Sequence, residues 1–295
     1  MMPRKAHRFH KAYIEITNIC GLECSFCPTK TKPKMVMELD FFEKILMELS
    51  PFTKDIALHV LGDPLALSNL KSYLDIAQKY KFNVMITTSG NYLSKHEDIF
   101  HKSLKQINIS LNSYNKNNMK CTFDEYMDEV LKLCEKRVDD EVFINLRLWN
   151  LDENRSENPY NQQIFKKLSS FFKIKFEEEM ILNPPRSIRL AKKILVHFDH
   201  YFEWPNLSSS NSTDGFCHGL SSQLAILADG TVVPCCLDGE GVVDLGNLHS
   251  SSLSDILESQ KAKNIIDGFK KHKAVEELCK KCTFKDRFNL DRLEI

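Results

Sequence analysis

Short β-rich runs alternate with longer amphipathic stretches from residue 11 to about residue 197, and that alternation leaves few folds open. KAYIEIT (11–17), DIALHVL (55–61), NVMITTS (83–89), QINISLN (106–112) and VFINLRLW (142–149) carry the apolar and β-branched residues of buried strands, with IKFEEE (174–179) as a candidate sixth. Between and after them, ELDFFEKILMELS (38–50), SNLKSYLDIAQKY (68–80), TFDEYMDEVLKLCEKR (122–137) and NPYNQQIFKKLSSFF (158–172) repeat apolar residues at helical spacing. A right-twisted strand followed by a right-handed helix packs back onto its own sheet with one handedness, so such units build a parallel sheet. Six units are too few for the closed eight-fold form. The expected fold is therefore α/β, an open, partial (β/α)6 TIM-like barrel.

The character changes near residue 200. NLSSSNSTDG (206–215) is a polar, low-complexity stretch with the look of a linker or exposed loop. QLAILADGTVVPCCL (223–237) reads as a hairpin turning at Asp229-Gly230. A Gly-rich loop, a short helix near 253–259 and a Lys-rich end carrying CKKC follow. The expected division is a barrel over 1–197, a linker over 198–213 and a small cysteine-rich domain over 214–295.

Charge gives little direction. Forty Lys and Arg balance forty Asp and Glu, so no global field draws the chain to nucleic acid or to a membrane surface. From Lys261 to Arg292, ten basic residues face five acidic ones. A solvated helical end explains that excess, and no aromatic-rich basic motif supports RNA recognition. The N-terminus lacks the apolar core of a signal peptide, and no run reaches membrane-spanning length, so the expected address is cytoplasmic.

In a reducing compartment, ten cysteines are metal ligands or core residues before they are disulfide partners. Cys20, Cys24 and Cys27 share the loop ITNICGLECSFCP after the first strand, at the end of a parallel sheet where active sites gather. Thiolates suit zinc or an iron–sulfur cluster. A closed zinc site wants four ligands, whereas a cubane held by three cysteines leaves one iron open. The second group is Cys217, Cys235, Cys236, Cys279 and Cys282. Taken alone it also suits a zinc ribbon. Cys121 and Cys134 fall on or beside a helical pattern and read as small core hydrophobes.

C-x-x-x-C-x-x-C after the first strand of a partial barrel resembles the signature of the radical S-adenosylmethionine (radical SAM) enzymes, and the resemblance runs from about residue 12 to 197. It places Phe26 near the adenine. It makes LGDPLAL, with Gly62, Asp63 and Pro64, the counterpart of the family's Gly-Glu-Pro segment at the methionyl amino group, with Asp63 one methylene shorter than the usual Glu. TTSGN offers Ser89 and Asn91 near the cosubstrate, ISLN offers Ser110 and Asn112 toward the ribose, and Arg147 and Asn150 are candidates for the carboxylate or sugar.

The second cysteine group and DGTVVPCCLDGEGVVDLGNL (229–248) resemble the SPASM/twitch extension, which holds an auxiliary iron–sulfur cluster. No cysteine follows Cys282, so the shorter twitch form with one auxiliary 4Fe-4S cluster fits best, ligated by Cys217, Cys235, Cys279 and Cys282, with Cys236 as a substitute for Cys235.

The resemblance implies a 4Fe-4S cluster and S-adenosyl-L-methionine in the barrel, with flavodoxin or ferredoxin as electron donor. It implies reductive cleavage to a 5′-deoxyadenosyl radical and hydrogen abstraction from a small-molecule or peptide substrate. A fully ligated auxiliary cluster favours electron transfer and a net oxidation. Peptide-modifying members often carry a recognition domain before the barrel, and only ten residues precede the first strand here, which tilts the expectation toward a small molecule. No catalytic base stands out, and Asp238 and Glu240 are the candidates nearest the hairpin. The competing reading is a zinc-stabilised binding or RNA-associated protein without SAM cleavage.

Overall fold

A computed structural model describes residues 9–152, 154–177, 180, 183–201, 203–209 and 212–288. Nine strands form one sheet: β1 (Lys11–Ile14), β2 (Asp55–Ala57), β3 (Asn83–Thr88), β4 (Leu104–Ser110), β5 (Phe143–Leu151), β6 (Ser187–Ala191), β7 (Ile194–His200), β8 (Gln223–Ile226) and β9 (Val232–Val233). Their order is β6-β7-β5-β4-β3-β2-β1-β8-β9, so β6 and β9 are edges and the barrel stays open. Strands β8, β1, β2, β3, β4, β5 and β7 run parallel, while β6 and β9 are antiparallel to their neighbours.

Helices α1 (Leu39–Leu49), α2 (Leu70–Lys79), α3 (Phe123–Lys136) and α4 (Asn158–Phe172) return the chain between strands. α3 begins with a reciprocal cap: Glu125 N–H donates to the Thr122 hydroxyl, and Thr122 N–H to the Glu125 carboxylate. Two short 3₁₀ turns, Leu93–Lys95 and Asp98–Phe100, replace a helix between β3 and β4.

The sheet has two different faces because its strands alternate. Val84 and Ile86 on β3 and Ile144, Leu146 and Leu148 on β5 are buried in the main core with Phe42, Ile45, Leu70 and Leu74 of α1 and α2. On the concave side a smaller cluster joins Tyr13, Ala57, Val60, Leu61, Ala225, Leu227 and Val233. That side also carries polar groups, including Asn108 and Asn145, whose amides hydrogen-bond at 3.0 Å.

The sixth parallel strand is not IKFEEE. Residues 174–177 form no strand, and 178 and 179 lie outside the described residues. A run of three glutamates cannot occupy a strand buried on both faces. Instead Ser187–Ala191 turns back into Ile194–His200, whose buried Ile194, Val196 and Phe198 alternate with half-buried residues and pair with β5. β7 therefore crosses the 197/198 boundary expected from composition. Residues 212 and 213 of the polar stretch pack on the C-terminal part: Ser212 N–H donates to the Lys280 carbonyl at 2.9 Å, and Ala274 N–H to the Thr213 carbonyl at 2.7 Å.

The 223–237 hairpin turns as its sequence suggests, with Gly230 at φ +85 and Leu227 N–H donating to the Thr231 carbonyl. Its first strand pairs in parallel with β1, matching Tyr13 to Ala225. Three helices complete the C-terminal part: α5 (Leu253–Glu258), α6 (Gln260–Lys270) and α7 (Glu277–Lys280). Its basic excess is largely paired, Lys261 with Glu276, Lys263 with Glu258, Lys273 with Asp214 and Lys280 with Glu277. Among the described residues, no helix is long and apolar enough to cross a membrane.

Candidate active site between two cysteine groups

The loops that follow β1, β2, β3 and β4 meet at one end of the sheet and hydrogen-bond to one another. Gly62 packs directly on the cysteine loop: a Cβ there would lie 1.9 Å from the Thr17 carbonyl oxygen. Asp63 N–H donates to the Ile19 carbonyl at 3.0 Å. The Asp63 side chain is buried and points to β3, accepting from the Thr88 hydroxyl (2.9 Å), the Ser89 N–H (2.9 Å) and the Ser89 hydroxyl (2.8 Å), while its second oxygen accepts from Leu65 N–H (3.0 Å). Pro64 opens the short turn that Asp63 caps. The Ser89 hydroxyl also accepts from Asn91 N–H at 3.3 Å.

Asn117, which the sequence did not single out, bridges β4's loop to the cysteines. Its amide N–H₂ donates to Cys24 Sγ at 3.0 Å and its carbonyl accepts from Glu23 N–H at 3.0 Å. No local pattern marks it, because its partner lies 93 residues away. Cys24 and Cys27 are in side-chain contact. That contact, with help from Asn117 and Ser113, draws the Cys24 thiol down to about 6 and pushes Cys27 up. Burial, reinforced by Asp63, pushes Cys20 up to about 11.

Ser110 ends β4 half-buried, and Asn112 is buried in the following turn. Arg147 lies on the concave face of β5. Asn150, three residues on, faces the other way: it is fully buried against α4, where its amide exchanges two hydrogen bonds with Asn161 (2.8 and 3.2 Å). Residues i and i+3 of a strand point to opposite faces. Asn150 is therefore a packing residue and is withdrawn from the cosubstrate contacts.

The second group gathers from three places: Cys217 before β8, Cys235 after β9, and Cys279 and Cys282 on and after α7. Cys217 lies within electrostatic reach of Cys282, Cys235 of Cys217 and Cys279, and Cys279 of Cys217 and Cys282. Burial pushes all four thiols up. Backbone N–H groups oppose it: Gly219 and His218 aim at Cys217, Leu237 at Cys235, and Phe284 and Lys285 at Cys282. In the first group Leu22 does the same for Cys20. N–H donors two residues on stabilise thiolate, the form that ligates metal. Cys134 has none, being pushed to about 12 by burial alone, as suits a core thiol. Among the described residues, no three His, Cys, Asp or Glu side chains converge as a single-ion site.

Cys236 lies within electrostatic reach of Cys217 and Cys235 and meets the Tyr13 hydroxyl through its sulfur. Asp238 closes its own loop, while Glu240 and Asp229 tie the hairpin to the segment after Cys27. Asp238 accepts from Val242 and Val243 N–H at 2.8 and 2.7 Å. Glu240 accepts from the Thr31 N–H (3.2 Å) and hydroxyl, and Lys32 pairs with Asp229 at 2.6 Å. Glu15, also missed from sequence, is buried beside Leu61 and Ala228, whose N–H groups it accepts, and burial raises it to about 7.

A cleft of about 1180 Å³ lies between the two groups. Phe26, Cys27, Tyr201, Trp204, Leu237, Asp238 and Glu240 are among the residues that line it. The donor sets fit the groups expected of them: three cysteines on one loop, of which Cys27 lines the cleft, and four half-buried cysteines, three of them with N–H support.

Comparisons with known proteins agree with this arrangement. Residues 14–154 match the radical SAM superfamily, and residues 217–283 match the SPASM iron-sulfur cluster-binding domain. The sporulation killing factor maturation protein SkfB of Bacillus subtilis (strain 168) is 26% identical over 267 residues, which cover 82% of this chain and 63% of SkfB. The chain thus spans less than two thirds of that relative's length. The fold is shared with BtrN in complex with AdoMet and 2-DOIA (TM-score 0.56, 16% identity, 93% of both chains). It is shared also with anSMEcpe with bound AdoMet (0.59, 15% identity, 93% of this chain and 86% of that one) and with Streptococcus suis SuiB bound to precursor peptide SuiA (0.58, 14% identity, 94% and 71%). The cofactors that go with these domains are S-adenosyl-L-methionine, its 4Fe-4S cluster and auxiliary iron–sulfur. The chain belongs to the radical SAM superfamily, as a protein of the SPASM type.

Proposed function

We propose that the chain oxidises a peptide substrate bound in the cleft between its two cysteine groups. The observation that carries this reading is that Cys27 and the 237–240 loop beside Cys235 line one cleft. Cys20, Cys24 and Cys27 hold the 4Fe-4S cluster that, with S-adenosyl-L-methionine, supplies a 5′-deoxyadenosyl radical for hydrogen abstraction. Cys217, Cys235, Cys279 and Cys282 ligate a single auxiliary 4Fe-4S cluster, the twitch form, and complete cysteine ligation suits it to accepting the substrate's electron. Flavodoxin or ferredoxin is the electron donor.

The chain's own residues orient and enclose. Asn117 and Ser113 hold Cys24. Asp63 fixes Ser89 and the 88–91 loop against the Gly62 segment, which leaves Ser89 and Asn91 at the cosubstrate's edge. Phe26, which packs toward Tyr201 (ring centroids 6.3 Å apart), is placed to cover the adenine. Thr31–Glu240 and Lys32–Asp229 tie the segment after Cys27 to the hairpin and so hold the cleft's lining in place. The maturation role in the name of SkfB and the precursor peptide bound by SuiB favour a peptide over the small molecule.

The test is anaerobic incubation with S-adenosyl-L-methionine and dithionite. 5′-Deoxyadenosine should form with the unaltered chain and not with Cys24→Ala. Formation by both proteins would sink the proposal.

A further inference from the structure

We propose that the concave face of the sheet, beside the cleft, holds an anchoring site for a carboxylate of the substrate, centred on Arg147. It rests on the function proposed above only in naming that ligand as substrate.

Arg147 sits in register with His197 of β7 and lies over the ring of Trp149, 4.3 Å from its centroid. The indole is itself fixed, because its Nε1–H donates to His197 Nδ1 at 3.0 Å. A guanidinium held over an aromatic face keeps its N–H edge free for a planar acceptor. Among the described residues no carboxylate pairs with Arg147, and its guanidinium makes no hydrogen bond. Its nearest ionisable neighbours on this face include the Tyr13 hydroxyl, which burial keeps neutral.

Lys11 brings a second cation to the same space, its ammonium 5.1 Å from the Tyr13 ring centroid, likewise with no carboxylate partner among the described residues. His59, edge-on to Tyr13 at 5.5 Å, has its Nδ1 out of solvent contact with no hydrogen-bond partner. Two cations, an unpaired imidazole nitrogen and a tyrosine hydroxyl thus lie on one face, and among the described residues neither cation pairs with a carboxylate. Uncompensated buried charge is costly, and sites that keep it have a ligand to neutralise it. The geometry suits a carboxylate: one planar fork and one ammonium, with no backbone nest or helix N-terminus of the kind that grips phosphate.

The site borders the cleft. Leu61 lines the cleft and shares the small apolar cluster with Tyr13, and Trp204, which also lines the cleft, packs on that cluster with Cys236.

Saturation-transfer NMR on the reconstituted holoprotein tests this, with propionate as probe and propionamide as its uncharged isostere. Propionate should receive saturable transfer and propionamide none. Arg147→Gln should weaken propionate by at least about tenfold, the effect of losing a charge-assisted contact, and Arg147→Lys should restore part of it. Equal transfer to both probes would overturn the proposal on the unaltered chain, whether or not the variants fold. An undiminished response in Arg147→Gln would overturn it too. Methyl phosphate displacing propionate more strongly would replace the carboxylate by a tetrahedral oxyanion, and displacement by S-adenosyl-L-methionine would assign the site to the cosubstrate. Either outcome refutes a substrate carboxylate anchor. Deoxyadenosine formation by the unaltered protein is read separately. Its absence with propionate bound removes the radical reading alone, and its presence without propionate binding removes the anchor alone.

Discussion

Asp63 offers the sharpest test of how the four loops are held. Its carboxylate accepts four hydrogen bonds, two from hydroxyls that can rotate to other partners and two from backbone N–H groups, Ser89 and Leu65, that cannot. Asp63→Ala orphans both N–H groups in a buried position. At roughly 1–3 kcal/mol for each unsatisfied buried donor, the loss is about 2–6 kcal/mol. Asp63→Asn keeps one acceptor oxygen. Placed toward Thr88 and Ser89, it leaves Leu65 N–H alone unsatisfied, a loss of about 1–3 kcal/mol. For a chain of this size, each kcal/mol lowers Tm by about 2 °C, so alanine should cost about 4–12 °C and asparagine about half of that. Thermal melts of the anaerobically reconstituted protein, followed by far-ultraviolet circular dichroism, decide it. If alanine is no worse than asparagine, or raises Tm, then relief from burying a carboxylate outweighs its hydrogen bonds. Asp63 would then be kept for a ligand rather than for holding loops.

Three further expectations concern single residues. Glu15 titrates at about 7 in the folded chain against an ordinary 4.5, so the native state holds an extra proton between those values and stability falls as pH rises through that window, by about 3 kcal/mol once the carboxylate is ionised beside Lys30 and Lys32; Glu15→Gln should flatten the Tm difference between pH 5 and pH 8, and an unchanged slope would contradict this. Cys235→Ser should lower iron by about four per chain while Cys236→Ser leaves it unchanged; the reverse pattern would exchange their roles. Gly62→Ala meets the Thr17 carbonyl oxygen at 1.9 Å and should destabilise by at least about 1–3 kcal/mol, with loss of iron from the first group; a neutral result would show that the β2 loop can move off the cysteine loop.

Much of this was legible in the sequence, for physical reasons that differ from one element to the next. Period-two alternation marks β3 and β5, and the local spacing of Cys20, Cys24 and Cys27 marks a metal loop without any tertiary information. The β8–β9 hairpin shows in its Asp-Gly turn. Its docking against β1 does not, because parallel pairing between residues 13 and 225 leaves no local trace. Cys235 and Cys236 stay ambiguous for the same reason: both lie within electrostatic reach of Cys217, and no local pattern ranks them.

Asn150 was an avoidable error. Arg147 and Asn150 cannot face the same ligand from one strand, and parity alone would have separated them. Asn117 and Glu15 were beyond reach, since each acts through partners 46 to 213 residues away. IKFEEE misled because its first residues alternate, whereas the three following glutamates have no place in a doubly buried strand.

The central claim is that two cysteine groups hold two clusters on either side of one cleft, the first with an iron left open for S-adenosyl-L-methionine. Anaerobic reconstitution with an iron and sulfide count, alongside deoxyadenosine formation, tests it most directly. The account predicts about eight irons per chain. It predicts about four after replacement of Cys217, Cys235, Cys279 and Cys282, with 5′-deoxyadenosine still formed when S-adenosyl-L-methionine and dithionite are supplied. Zinc in place of iron, or an iron count unmoved by those four replacements together, would contradict it.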